Sequence, residues 1–510
     1  MPCNSKTMIR TARQEFEQLL DWLHSRAESR STAYQVEREL FTRLLALGQL
    51  LLKVFFTLCA QRSAQQGLVG EDGKGLPYHS YKPRRYVSVF GETEIERPYF
   101  WQRGQAGQFP MDEALSLPDD SYSDVLREHA DLLSGTMAYG EASAVIERLL
   151  GLSLSPSALS RLVERDGGEV QSFYATGPVS KPFSEKPSSE AAVLVIQADG
   201  KGVPMRPDAE CSRPDKRGEP SPVRLGKGQK RTKKKEAVVT SLYTTGRRIR
   251  PAEEVLDSFF SPPEASSPEA SPRAGPQYEE SQEGPQNKKV WATLKGKEVA
   301  FERLAGQVRR RDGPHVTDRV ALSDGCKALQ DRFRERFPHF ELILDFVHVS
   351  EYLWEAANAL FEETGEKRLD WVRERSRELL TDRHEAVLAR LRQASARPGD
   401  ACGRAARYFE RNVEAMNYAR YLARGWPIAT GVVEGACRHL VKDRCEMSGM
   451  RWNAQGAEQV LGLRAVWTNG DWDAYHRHRR EQRHQRLYGR PLETLEATDR
   501  LEEQMWRMAA

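Results

Sequence analysis

Cysteine is scarce in this chain of 510 residues. The seven (Cys3, Cys59, Cys211, Cys326, Cys402, Cys437 and Cys445) form no CxxC pair. An odd, scattered set excludes a disulfide scaffold and points to reduced thiols in a cytosol. Long apolar runs are missing as well, since no stretch of about 18 consecutive apolar residues occurs. The richest, Leu44 to Ala60, is broken by Gly48, Gln49 and Lys53, which argues against a membrane protein. The opening residues, MPCNSKTMIR, lack the apolar core of a signal peptide. Charge of one sign is not in excess either: 77 Lys and Arg against 73 Asp and Glu leave +4. So small a balance names no partner, and the distribution of charge matters more. What the chain does have is length and ordinary globular composition, 39% apolar and 29% charged. That excludes a wholly disordered chain, and the length predicts two to four domains.

Residues 8–66 read as helices, with apolar residues of FTRLLALGQLLLKVFFTLCAQR at helical spacing. From Arg84 the period changes. Tyr86–Phe90 and Thr93–Trp101 around Gly91-Glu92 predict a β-hairpin. Further on, Ala142–Leu150, a turn at Gly151, and a helix opened by Ser155-Pro156 and ending near Asp166 have the layout of a helix-turn-helix. An ordinary helical hairpin accounts for the same pattern about equally well. After a Pro/Ser-rich connector, AAVLVIQADG predicts a strand buried on both faces. Strands at Ala237–Thr244 and Val290–Leu294, a helix at Lys297–Arg310, RVALSDG, a helix through Phe337 and FELILDFVHV continue an α/β alternation. Six prolines in residues 261–286 mark a flexible insertion, and beyond Ser350 the chain reads as helical.

Three acids stand out by position. Asp199 and Asp324 each end an apolar strand and precede a glycine, where an α/β sheet opens to its ligands. Burying a lone carboxylate there is costly, so each must be solvated, paired or metal-bound. Taken singly, either is more commonly a turn residue, because Asp-Gly is a frequent turn pair. Glu434 falls in the first turn of a helix running through ACRHLVKDRC, where the helix dipole alone would favour it. Two strand-end Asp and one helix Glu have the composition of a two-metal phosphoryl-transfer site, provided the three converge.

The blocks VIQADGKGVPM, VALSDGCKAL, LILDFVHVSEYL and ATGVVEGACRHLVKDRCEMSGMRW resemble DDE transposases of bacterial insertion sequences, nearest to the ISKra-type group of the Mutator-like superfamily, over about residues 80–475. The resemblance implies an α/β catalytic core with a ribonuclease H-like fold, carrying a helical insertion and preceded by a mainly helical region with a β-hairpin and helix-turn-helix. It implies Asp199, on the first strand, Asp324, on the fourth, and Glu434, on the helix after the insertion, as catalytic residues holding Mg²⁺, with Mn²⁺ as a substitute. Asp345 and His348 look like the superfamily's Cys/Asp-x-x-His signature, in a supporting role; an alternative alignment makes Asp345 the second acid. No cysteine pair follows the hairpin, so a zinc site there is not supported. Cys437, His439 and Cys445 lie at spacings that one helical face cannot align, which disfavours zinc there too.

This reading divides the chain into a helical region (1–78), a hairpin region (79–118), a helix-turn-helix region (119–177), a core (190–350) with a disordered insertion at about 257–287, a helical insertion (351–425), the last part of the core (426–475) and a basic helical tail (476–510). Expected partners are double-stranded DNA, both the terminal inverted repeats and the target, and further copies of the chain on that DNA, with no membrane, in a bacterial cytoplasm at the nucleoid. Residues 224–235 hold seven Lys/Arg and no acid. Lys227, Lys230, Arg231, Lys233, Lys234 and Lys235 are the expected phosphate contacts. Residues 477–490 carry six Arg against one Glu and are a second basic candidate. Arg451 offers a further phosphate contact and Trp452 a stacking platform, although packing explains Trp452 equally well. A plain nuclease of the same fold, a transposase-derived regulator that has lost catalysis, and an interaction protein built on the helical half are the competing readings.

Overall fold

A computed structural model of the chain describes residues 5–70, 73, 75–176, 191–206, 234–260, 284–361, 366–397, 399–447 and 449–492. The chain forms two compact units, Met1–Glu169 with Trp472–Ala510, and Val170–Asp471.

In the first unit, helices Ser5–Glu28 and Ala33–Gln65 run antiparallel, with Arg26 paired to Glu39 at 3.0 Å near the turn. Thr32 caps the second helix in a reciprocal capping box with Gln35. Strands Tyr78–Ser88 and Gly91–Phe100 form the hairpin. Ser88 pairs with Gly91, so the two-residue turn is Val89-Phe90 rather than the expected Gly91-Glu92. Phe56 and Ala60 pack with Ile95, Met111 and Leu117. Helices Asp124–Thr136, Tyr139–Leu150 and Pro156–Asp166 enclose a small core of Leu126, Ala130, Ile146, Leu159 and Leu162. The last two are the anticipated helix pair, with Ser155 accepting a cap bond from Ala158 N.

The C-terminal basic stretch is not a separate tail. Helix Trp472–Tyr488 belongs to this unit, and Arg479 and Arg483 are buried. Arg479 bonds Asp166 at 3.0 Å and Asp124 at 3.2 Å, while Arg483 chelates Asp124. Arg480, Arg486 and Arg490 pair with Glu128, Glu169 and Glu113. Acids more than 300 residues away in sequence neutralise a run that reads as a nucleic-acid patch. Among the described residues one helix, Ala33–Gln65, is long and apolar enough to cross a membrane.

The second unit is built on a five-stranded sheet. Its strands are β1 (Val193–Pro204), β2 (Lys234–Thr245), β3 (Gln286–Thr293), β4 (Asp318–Ser323) and β5 (Glu341–Leu344), in spatial order β3-β2-β1-β4-β5. Strands β2 and β3 pair antiparallel, as do β1 and β2; β4 and β5 run parallel to β1. The central strand β1 is buried on both faces from Val193 to Ala198, as its continuous apolar run requires.

Two boundaries move. β1 continues past Asp199 to Pro204 against β2, whereas its pairing with β4 stops at Ala198–Ser323. The stretch after Leu344 is helix, not strand: Asp345 caps helix Phe346–Leu360. The expected insertion is also shorter than 257–287, since helix Ala252–Phe260 and β3 from Gln286 reach into it; the rest of it, 261–283, lies outside the described residues. Helices Glu366–Leu380, His384–Ala394, Ala401–Asn412 and Tyr418–Ala423 follow. Leu353, Ala357, Val372, Leu391, Ala405 and Phe409 join them to β4 and β5 in one core.

Candidate active site

Asp199 is the first residue of β1 beyond the last β1–β4 pair, and Asp324 is the first beyond the same pair on β4. Both are half-buried. Asp199 Oδ1 accepts from Gly200 N at 2.6 Å, and Oδ2 accepts from Cys437 Sγ at 3.3 Å. Burial raises the Asp199 carboxyl above its ordinary pKa, and the like charge of Asp324 adds to the rise. Asp324 Oδ1 accepts from Cys326 N at 2.9 Å, closing an Asx turn. Its Oδ2 has no hydrogen-bond partner among the described residues. Gly325 sits at φ 83°, and a Cβ there would lie 2.7 Å from Tyr408 ring atoms, so only glycine fits. Tyr408 in turn donates to Asp324 O at 2.7 Å. The turn chemistry and the open carboxylate oxygen therefore coexist in one residue.

Glu434 lies in helix Gly431–Ala436, which runs on into a π-helical segment, Cys437–Lys442. Such segments recur at functional sites. Here the segment holds the Cys437 thiol against Asp199, and burial raises the thiol pKa. Gln197, wholly buried, fixes the helix to the sheet. Its Oε1 accepts from Val433 N at 2.9 Å and from Ser241 Oγ at 3.1 Å. Thr430 Oγ1 lies 2.9 Å from Glu434 Oε1 and 2.7 Å from Asp345 Oδ2, so its single proton is shared between two acceptor carboxylates.

Asp345 is fully buried and both its oxygens are engaged. Oδ1 accepts from Val347 N at 3.1 Å and Thr430 N at 3.2 Å; Oδ2 faces Thr430 Oγ1 and, at 2.6 Å, His348 Nδ1. The bond to Asp345 pushes the His348 pKa up to about 9, against the opposing effect of burial, so the ring is cationic at neutral pH. Asp345, His348 and Glu434 offer ligand atoms that all lie within 4.8 Å of one another. Asp199 and Asp324 stand outside that tight group, although both are electrostatically coupled to its His348.

All five residues singled out in the sequence thus fall at one end of the sheet. Gln197, Thr430, Tyr408 and Cys437 were not foreseen. Gln197 alone left a trace, a polar residue inside VLVIQADG two positions before Asp199 and so on the same face of the strand. Of the expected phosphate contacts, Lys227, Lys230, Arg231 and Lys233 lie outside the described residues. Lys234 and Lys235 are exposed at the start of β2, with Lys234 paired to Glu446. Arg451 is exposed. Trp452 is buried: its Nε1 donates to Cys445 O at 3.2 Å and Arg444 covers its ring, so it packs instead of presenting a stacking platform.

No protein-family profile matches the chain. One curated protein is similar over 163 residues at 25% identity, the UPF0236 protein in the vanSb 3′ region of Streptococcus gallolyticus. The match takes in 32% of this chain and spans about a third (35%) of the relative's length.

Proposed function

We propose that this chain is a metal-dependent DDE transposase with a ribonuclease H-like core, cutting and joining DNA at the ends of a mobile element. One observation carries the reading. Asp199 and Asp324 each stand one residue beyond the last paired residues of two adjacent parallel strands, the first and fourth of the core, and Glu434 arrives on the helix that follows a helical insertion. The strand order and directions agree with the fold that the resemblance implies.

By type the donors suit a hard divalent cation, with Asp199 and Asp324 standing outside the tight group that Glu434 forms with Asp345 and His348. The three acids supply carboxylate oxygens, partly open, with the Asp199 proton held more tightly because of burial and a neighbouring like charge. Mg²⁺, when bound, supplies positive charge at a phosphate undergoing transfer. The protein's own residues do the rest. Asp199 and Asp324 are held by backbone N–H bonds just beyond the last β1–β4 pair, and Glu434 is held by Thr430. His348, cationic through Asp345, keeps Nε2 for an anionic substrate oxygen. Asp345, Thr430 and Gln197 position these groups and do not touch substrate.

The test uses purified full-length protein with duplexes carrying the DNA that flanks its coding sequence, in Mg²⁺ or Mn²⁺. Strand nicking followed by joining of the freed 3′-hydroxyl to a second duplex is expected. Nicking without joining in either metal would make the chain a nuclease, and specific binding without nicking would make it a regulator.

A further inference from the structure

We infer that helix Ala33–Gln65 is the dimerisation element of this protein, and that it takes the same helix of a second copy, antiparallel, along one apolar stripe. The inference concerns the first unit alone and does not depend on the transposase reading.

Phe41, Leu44, Leu51, Phe55 and Leu58 are each between 44% and 51% exposed, although all are large and apolar. With Gly48 they follow the alternating three- and four-residue spacing of a coiled-coil seam. Towards its C-terminal end the helix's other sides are already in use. Phe56 and Ala60 pack on Ile95 of the hairpin, and Val54 packs on Met8 and Ala12 of helix Ser5–Glu28. The stripe is left open, and it is on the order of 400 Å², the size at which an apolar patch on a lone subunit marks an interaction site.

The order of side chains identifies the occupant. Read in opposite directions, the stripe is complementary to itself. Phe41 meets the partner's Leu58, Leu44 meets the partner's Phe55, and Gly48 meets the partner's Leu51. Each outer layer then pairs one phenylalanine with one leucine, and in the central layers the Phe90 ring, which fills the space beside Gly48, faces the partner's Leu51. Parallel pairing would instead set Phe41 on Phe41, Phe55 on Phe55 and Phe90 on Phe90. Phe90, 41% exposed, closes on Gly48 so tightly that a Cβ there would clash with its ring. The hairpin tip therefore adds to the same face. A two-fold contact of this kind is isologous, so it closes at two copies. A lipid surface suits the helix less well. Lys53 is exposed midway along the run, and the covered sides could meet lipid only if the unit opened.

Sedimentation equilibrium of the full-length protein without DNA tests this. Wild type is expected at twice the 58.0 kDa chain mass. Phe55→Glu, at a half-exposed position, should weaken association by about a hundredfold or more, two buried charges being introduced per dimer, with the melting temperature of the isolated subunit kept. Phe41→Lys and Leu58→Glu should each be monomeric alone and form a mixed dimer together, because antiparallel pairing sets the lysine against the glutamate. A monomeric wild type, a dimer that survives Phe55→Glu, or failure of the two variants to rescue each other would overturn the inference. So would a wild type that floats with phosphatidylcholine–phosphatidylglycerol vesicles and stays monomeric without them.

Discussion

The imidazole of His348 and the carboxylate of Asp345 are 2.6 Å apart, and Asp345 is the fully buried member of the pair. The two belong to the first turn of one helix, yet Asp345 also bonds Thr430, 85 residues later. A single carboxylate thus caps a helix, sets the charge of a histidine and anchors the segment that delivers Glu434. Replacing it with alanine removes the acceptor from four donors. Asp345→Ala should lose about 3–5 kcal/mol, as expected when one partner of a buried charged pair is deleted. Asp345→Asn should lose clearly less. Chemical denaturation monitored by circular dichroism measures both.

A second prediction concerns the buried arginines of helix Trp472–Tyr488. Arg479 is 4% exposed and holds Asp124 and Asp166. Arg479→Met should destabilise the first unit by about 1–3 kcal/mol, because Asp166 and Asp124 would each lose one of two arginines, Arg127 and Arg483 remaining to them. If the run were instead a solvated nucleic-acid patch, the same substitution would leave the melting temperature within about a degree and weaken DNA binding.

His476 gives the protein a defined acid sensitivity. It is 1% exposed, and neither ring nitrogen has a hydrogen-bond partner among the described residues. Burial, with Arg479 and Arg480 nearby, pulls its pKa down from 6.5 to about 2. The folded state therefore keeps the ring neutral while the unfolded state takes up a proton below pH 6.5. Its contribution is complete above that value and is lost as pH falls through the interval from 6.5 to about 2, at up to ~1.4 kcal/mol per pH unit. Melting curves between about pH 8 and pH 5 should fall more steeply for wild type than for His476→Leu. Equal slopes would contradict this assignment.

The segment before β2 carries a prediction of a different kind. Converting Lys227, Lys230, Arg231 and Lys233 to glutamine should weaken DNA binding and flatten its salt dependence. The log–log slope should fall by up to about 0.9 for each phosphate that is no longer neutralised. Fluorescence anisotropy over a salt series reads this directly, and an unchanged slope would remove the segment from the DNA surface.

Much of this is legible in the sequence where the signal is local. The apolar run VLVIQADG, the Ser155-Pro156 helix start and the Asp345-x-x-His348 spacing each reflect interactions within a few residues. Features that depend on distant partners are not legible. The six arginines of 477–490 look like a free basic patch until Asp124 and Asp166 are placed beside them. Trp452 looks like a stacking ring until Arg444 covers it. Gln197 and Thr430 gain their roles from partners up to 236 residues away, which no periodicity encodes. The end of β1 is hidden for a related reason: β2 extends the strand past Asp199, while β4, which exposes the carboxylate, stops short of it.

The account rests on Asp199, Asp324 and Glu434 acting as one unit, with Asp345 behind them. The most direct measurement is Mg²⁺-dependent nicking of the flanking-DNA duplex by Asp199→Asn, Asp324→Asn, Glu434→Gln and Asp345→Asn, each first shown to be folded and to bind the duplex. The first three should lose nicking by at least about a hundredfold, while Asp345→Asn, less stable, should still nick. Wild-type nicking by Asp324→Asn together with none by Asp345→Asn would contradict the account and move the second acid to Asp345.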